Sequence, residues 1–157
     1  MNGLLEFVFE NVPPLKVAPC VLSLIGHERN VKNVIRDGDE PLAISDVVDA
    51  GFWRRLASQE EDVAILLNME EVEIGTRLIR GATLQVIHYG NLNDLVVFLS
   101  SEDCRKGGMV RSEDMYEWAK SVADLFEVAN FFGGLEPAND EQTQLFLASG
   151  VGLIQGI

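Results

Sequence analysis

The chain has 157 residues, 47% apolar and 24% charged, enough for one domain with its own core and no need of disulfides or metals. Twelve Lys and Arg stand against 25 Asp and Glu, a formal net charge of −13. That balance repels phosphate backbones and anionic lipid, which argues against nucleic-acid and membrane partners, and it attracts a basic protein.

No run of eighteen apolar residues is present to span a bilayer, and MNGLLEFVFENVPP has no basic leader, so it does not read as a secretory signal. Cys20 and Cys104 are far apart and outside any C-x-x-C, which reads as two reduced, buried thiols in a cytoplasmic protein.

From the N-terminus, Leu4 to Val12 fits neither the helical nor the extended period cleanly and reads as a short helix or an edge strand, ended by Pro13 and Pro14. Lys16 to Gly26 reads as a mostly buried strand, with Pro19 placing it at a sheet edge or a bulge. His27 to Asp37 suits one helical turn or a second short strand, and Asp37 to Pro41 is a turn by composition. Ser45 is a candidate cap for a helix running through Val48, Phe52 and Leu56, weakened by Gly51.

The middle of the chain predicts sheet. Asp62 to Asn68 is a compact apolar run, and Val72 to Ile79 is a strand bent at Gly75. Thr83 to Tyr89 and Leu95 to Ser100 are paired strands joined by the turn-forming residues Gly90 to Asp94. Ser101 to Arg111 reads as an exposed loop.

Ser112 to Gly134 carries the clearest pattern. Met115, Trp118, Ala119, Val122, Leu125, Phe126 and Ala129 recur at three- and four-residue steps along one helical face. Glu113, Glu117, Lys120, Asp124 and Glu127 follow the opposite face. Ser112 would cap this helix and Gly133-Gly134 would stop it. Gln142 to Leu147 is a last strand, and Ala148 to Ile157 trails away among glycines. Together these elements predict a single α+β domain over residues 1–157: an antiparallel or mixed sheet with two or three helices packed on one face.

No motif identifies a reaction. His27 and His88 lack a second ligand at metal spacing, and Gly150-x-Gly152-x-x-x-Gly156 lacks the Lys-Ser/Thr of a phosphate loop, so neither a metal nor a cofactor is expected. Cys104 beside Arg105 and Lys106 could pair with His88 across the hairpin, but nothing in the spacing requires it.

The charge is more informative. Residues 112–141 hold eight acids and one base, and residues 60–73 hold six acids and none. The plain reading is solubility. The sharper one is a non-enzymatic inhibitor whose carboxylates stand in for phosphates and block a basic site on a protein partner, as immunity proteins and antitoxin-like inhibitors do. Its candidate residues are Glu113, Glu117, Asp124 and Glu127 on the helix, then Phe132, Glu136, Asp140 and Glu141 beyond it. Phe131 and Phe132 are adjacent, so both need not point inward, and one can belong to an acid-rimmed apolar patch. Two alternatives stay open. One is a small-molecule site using His88, Tyr89 and Cys104; the other is a homo-oligomer, such as a homodimer, formed through strand edges or Phe131–Phe132.

Overall fold

The computed structural model describes residues 3–136, 138, 143–152 and 156–157. Among them, the strands are β1 (Leu4–Glu10), β2 (Val31–Arg36), β3 (Glu40–Leu42), β4 (Val63–Ile74), β5 (Arg77–Tyr89), β6 (Leu92–Ser100), β7 (Asn130–Leu135), β8 (Gln144–Leu147) and β9 (Gly150–Val151). They form one sheet in the order β3-β2-β4-β5-β6-β1-β7-β8-β9, and each pairing is antiparallel. The helices are α1 (Pro14–Ile25), α2 (Ile44–Val47), α3 (Ala50–Ser58), α4 (Ser101–Lys106) and α5 (Ser112–Leu125). The class is α+β as expected, but the sheet dominates and there are five helices among the described residues, not two or three.

The predicted hairpin is present as β5 and β6, and the strand at Asp62–Asn68 extends into the long β4, which turns back through Gly75 into β5. β1 is not an edge: it lies between β6 and β7 and alternates strictly, with Leu5, Phe7 and Phe9 buried and their neighbours not. His27 to Asp37 holds both predicted alternatives, a 3-10 turn at Glu28–Asn30 followed by β2. Asn30 fastens that turn to β4, donating to the carbonyls of Ile25 (2.9 Å) and Glu71 (2.8 Å) and accepting from Glu71 N–H.

Further expectations are corrected. Lys16–Gly26 is helix, not strand. Pro14 occupies the first turn, where its missing N–H costs nothing, and Val17, Val21, Leu24 and Ile25 bury one helical face. Pro19 is tolerated inside the helix at the loss of one backbone bond. Second, Ser45 caps nothing in the way predicted: the helical region is split, and the Asp49 side chain caps α3 by accepting from Gly51 N–H at 3.0 Å. Third, residues 101–106 are the short helix α4, capped by Ser100, rather than loop.

The fourth concerns α5. Its cap position is Arg111, so Ser112 is already helical, and the helix ends at Leu125. Glu127 takes the left-handed conformation (φ 59°), and Val128 N–H closes back onto Ala123 O at 2.8 Å, a Schellman-type stop. Gly133 and Gly134 therefore do not end a helix; they sit in β7. A Cβ on Gly133 would press on the Phe146 ring and Glu6 O, and one on Gly134 would collide with the carbonyl oxygen of Thr143. These glycines allow β1, β7 and β8 to approach. The tail does not simply trail away either, since β9 pairs with β8 and Ile157 N–H reaches Val110 O at 2.9 Å.

One sheet face carries the core. Phe7 meets Trp118 of α5 edge-on at 5.1 Å and Phe146 at 5.7 Å, and Phe9 stacks with Phe131 at 6.4 Å. Trp53 of α3 is fully buried and donates from Nε1 to Val47 O at 2.8 Å.

Candidate protein-binding site

The acids that the sequence nominates divide between two surfaces. Glu113, Glu117, Asp124 and Glu127 are exposed along α5 and its stop, because the apolar stripe of the helix turns Trp118 and Val122 toward the core. Most of them have a cation close by. Arg111 pairs with Glu113, Lys120 with Asp124 at 2.6 Å, and Lys16 with Glu127 at 3.9 Å; Arg77 also reaches Asp114 at 3.4 Å. Glu117 alone of the nominated four makes no ion pair among the described residues. Exposed pairs of this kind add little stability, but they offset much of the local negative field.

Phe132 and Glu136 lie elsewhere. Phe131 stacks on Phe9 inside, so the strand alternation turns Phe132 to the opposite face of the sheet, beside Val8. Glu136 is exposed at the end of β7, its N–H on Leu4 O at 3.0 Å. With Asp103 it borders a shallow hollow of about 390 Å³ floored by Leu4, Leu66 and Phe98. Asp140 and Glu141 lie outside the described residues.

That second face is what sequence reasoning missed. The pairing register sets Pro41, Ile35, Leu66, Gln85, Val96, Val8, Phe132 and Leu147 in one row across eight strands. Seven of the eight are apolar, and none belongs to the core cluster. Beside this row runs a polar one, where Asn68 donates to Asn33 (2.8 Å) and accepts from Thr83 (3.0 Å), ending at Phe98 and Glu6. On the other flank stand Ile87, Asp94 and Glu10. A signal was available: an antiparallel strand with one wet face should alternate apolar and polar, and Val8 in β1, Leu66 in β4 and Val96 and Phe98 in β6 take outward slots instead.

The acids of this face are held by neutral donors. Glu6 accepts from Ala138 N–H at 2.6 Å, Glu10 from the Asn130 amide, and Asp94 from Asn11 N–H and the Tyr89 hydroxyl at 2.8 and 2.9 Å. Neither Glu6, Glu10, Asp94 nor Glu136 has a Lys or Arg within ion-pair distance among the described residues.

His88, Tyr89 and Cys104 do not assemble into a reactive site. His88 is buried with Nδ1 against Asn93 Oδ1 (2.8 Å) and Nε2 against Gln59 O (2.7 Å), so both ring nitrogens are engaged in tying the β5–β6 hairpin to the end of α3. Tyr89 is exposed on the other side of the strand, its hydroxyl held on Asp94, whose hydrogen bond raises the phenol pKa. Cys104 is buried, and burial pushes its thiol up to about 12, with Asp103 adding to the rise and Arg105 opposing it. Cys20 is buried and raised to about 12 by burial alone. Both cysteines are free. A cleft of about 230 Å³ beside Leu24, His27, Asn30 and Trp118 is below the usual size of a small-molecule site and includes none of the three. No group of acids, histidines and cysteines suited to a metal ion occurs among the described residues, and no helix there is long and apolar enough to cross a membrane.

The whole fold has a counterpart among solved structures. A chain of the crystal structure of the toxic C-terminal tip of CdiA from Pseudomonas aeruginosa in complex with immune protein superposes with a TM-score of 0.72 at 16% identity, covering 98% of this chain and 99% of that one. At that identity the likeness shows the fold. Among curated proteins, no match was found. The family model described as the PABL017 Cdi1I immunity protein matches residues 3–150, nearly the whole length, and the chain belongs to that family of immunity proteins.

Proposed function

We propose that the chain neutralises a toxin by binding it, covering a basic site with a surface of carboxylates and apolar side chains, and that it catalyses no reaction of its own. The observation that carries this reading is the family match over residues 3–150. The charge of −13 supports a basic partner, because opposite potentials speed encounter and disfavour wrong partners. The partner class is the toxic C-terminal tip of a CdiA-type protein, by analogy with the complex named for the structural neighbour. The cytoplasm of the producing cell is the compartment, which suits two free, buried thiols. Binding residues are sought at Phe132 and Glu136, the nominated positions that lie off α5 and have no cation of the chain beside them among the described residues. The buried residues of the helices join the core cluster while Val8 and Phe132 lie outside it, which supports the Val8–Phe132 face as the one that meets the partner.

The test is protection. CdiA toxin tips, that of Pseudomonas aeruginosa among them, are produced in a sensitive host with and without this chain, and growth is followed. Rescue from one toxin, with the two proteins co-eluting at one to one, is the expected result. A chain that rescues growth only while failing to bind the toxin, or that rescues from none, would sink the proposal.

A further inference from the structure

We propose that the toxin docks on the sheet face opposite the core, centred on Val8, Leu66 and Phe132 and bordered by Glu10, Asp94 and Glu136, and that α5 is not the contact surface. This rests on the immunity reading above and names the site at which it operates.

Three observations converge on this face. First, its central row from Ile35 to Leu147 is apolar but for Gln85, and these side chains lie outside the main core cluster, with Val96 alone of the row's described members buried. An apolar patch with a polar rim is the mark of an interaction site rather than of an ordinary wet sheet face. Second, its size fits. Seven strands from β2 to β8 place the ends of the row roughly 30 Å apart, and three rows with their side chains are about 20 Å wide, a projected area on the order of 600 Å². A standard interface takes roughly 800 Å² from each partner. Third, the charge is one-sided. No Lys or Arg stands in the three rows described on this face, and Glu6, Glu10 and Asp94 are held there by backbone N–H, amide and hydroxyl donors. Along α5, by contrast, Glu113, Asp114 and Asp124 already have cations of the chain beside them.

The occupant that fits is a protein surface with an apolar centre ringed by Lys and Arg. A nucleic acid or an anionic membrane would meet the acids first and be repelled. A second copy of the chain is disfavoured for a related reason. A two-fold contact brings the same patch against itself, which would set one acidic rim against another with no Lys or Arg in the facing rows to offset it.

The experiment measures Kd for the toxin tip that the wild-type chain binds, by calorimetry on purified full-length proteins. The sheet variant combines Val8→Thr, Leu66→Thr and Phe132→Thr, which removes apolar contact while keeping strand-forming side chains. A second sheet variant, Glu136→Lys, alters one exposed residue at the end of β7 and keeps the test valid if the triple variant folds poorly. The helix control is Glu117→Lys with Asp124→Lys. The expected result is at least a thirtyfold rise in Kd for the triple sheet variant and about tenfold for Glu136→Lys, with the helix control within threefold of wild type. The assignment is overturned if the helix control loses binding while the sheet variants keep it. It is also overturned if light scattering shows a wild-type dimer that the sheet variants reduce to monomer, since the face would then belong to a second copy. If the wild-type chain binds no toxin tip at all, the immunity reading itself fails, an outcome distinct from either.

Discussion

Phe7 and Val8 are neighbours on the central strand β1, and truncating each to Ala separates the two faces of the sheet energetically. Phe7 is 1% exposed, with Trp118 edge-on to its ring at 5.1 Å and Phe146 at 5.7 Å. Removing a buried phenyl group costs about 4 kcal/mol, transfer and cavity together. Val8 is half-buried on the opposite face and outside the core cluster. Val8→Ala removes the equivalent of two methylenes, each worth about 0.8 kcal/mol when fully buried, so about half of that total, ~0.8 kcal/mol, is expected. With a urea m-value of about 2 kcal/mol/M, the midpoints fall by roughly 2 M for Phe7→Ala and 0.4 M for Val8→Ala. Urea titration followed by fluorescence suits the measurement, because Trp53 and Trp118 are both buried and unfolding exposes them. Circular dichroism on the same samples checks that both probes report one transition. Equal midpoint shifts for the two variants would refute the reasoning, because the Val8 face would then be a second core.

Two further perturbations probe other parts of the argument. Gly134→Ala drives a methyl group into the backbone around Thr143 and Gln144, which cannot yield as a flexible side chain would. Its expected effect is loss of hydrogen-exchange protection in β7 and β8 with protection in β5 and β6 retained; unchanged protection in β8 would show that the strands do not approach so closely. The thiols give a pH dependence whose sign follows from burial. Cys20 and Cys104 are raised from 9.0 to about 12 in the folded chain, so above pH 9 the unfolded chain releases protons that the folded chain keeps. Stability from this source is complete below pH 9 and falls between pH 9 and about 12, by about 1.4 kcal/mol per pH unit for each thiol. Urea midpoints measured from pH 7 to 10.5 for the wild type and for Cys20→Ala test this; equal slopes in the two proteins would refute it for Cys20.

The elements legible in the sequence are those whose signal is local. The apolar repeat from Met115 to Val122 specifies α5 because its positions share a face of one helix, and the β5–β6 hairpin is readable because two strand-like runs flank a turn-forming segment. The misread elements are those where one residue type serves two purposes. Pro19 resembles a strand-edge marker, yet it sits inside α1, where the Val17, Val21 and Leu24 spacing prevails. Gly133-Gly134 resembles a helix stop, yet its lack of side chains matters because Phe146 and Thr143 lie against it from β8 and the loop before it.

The candidate site divides along the same line. The excess of acid follows from composition, which no fold can alter, and it made a protein inhibitor one of the readings open from the sequence. Which acids remain uncompensated does not. Lys16 reaches Glu127 across 111 positions and Arg77 reaches Asp114 across 37, so the neutralisation of α5 depends on contacts between segments far apart in the chain. The apolar row is decided in the same way, because Ile35, Leu66, Val96, Val8 and Phe132 fall into one line only when six strands take their register. Alternation within each strand fixes which residues share a face. Only tertiary packing decides which of the two faces becomes the core.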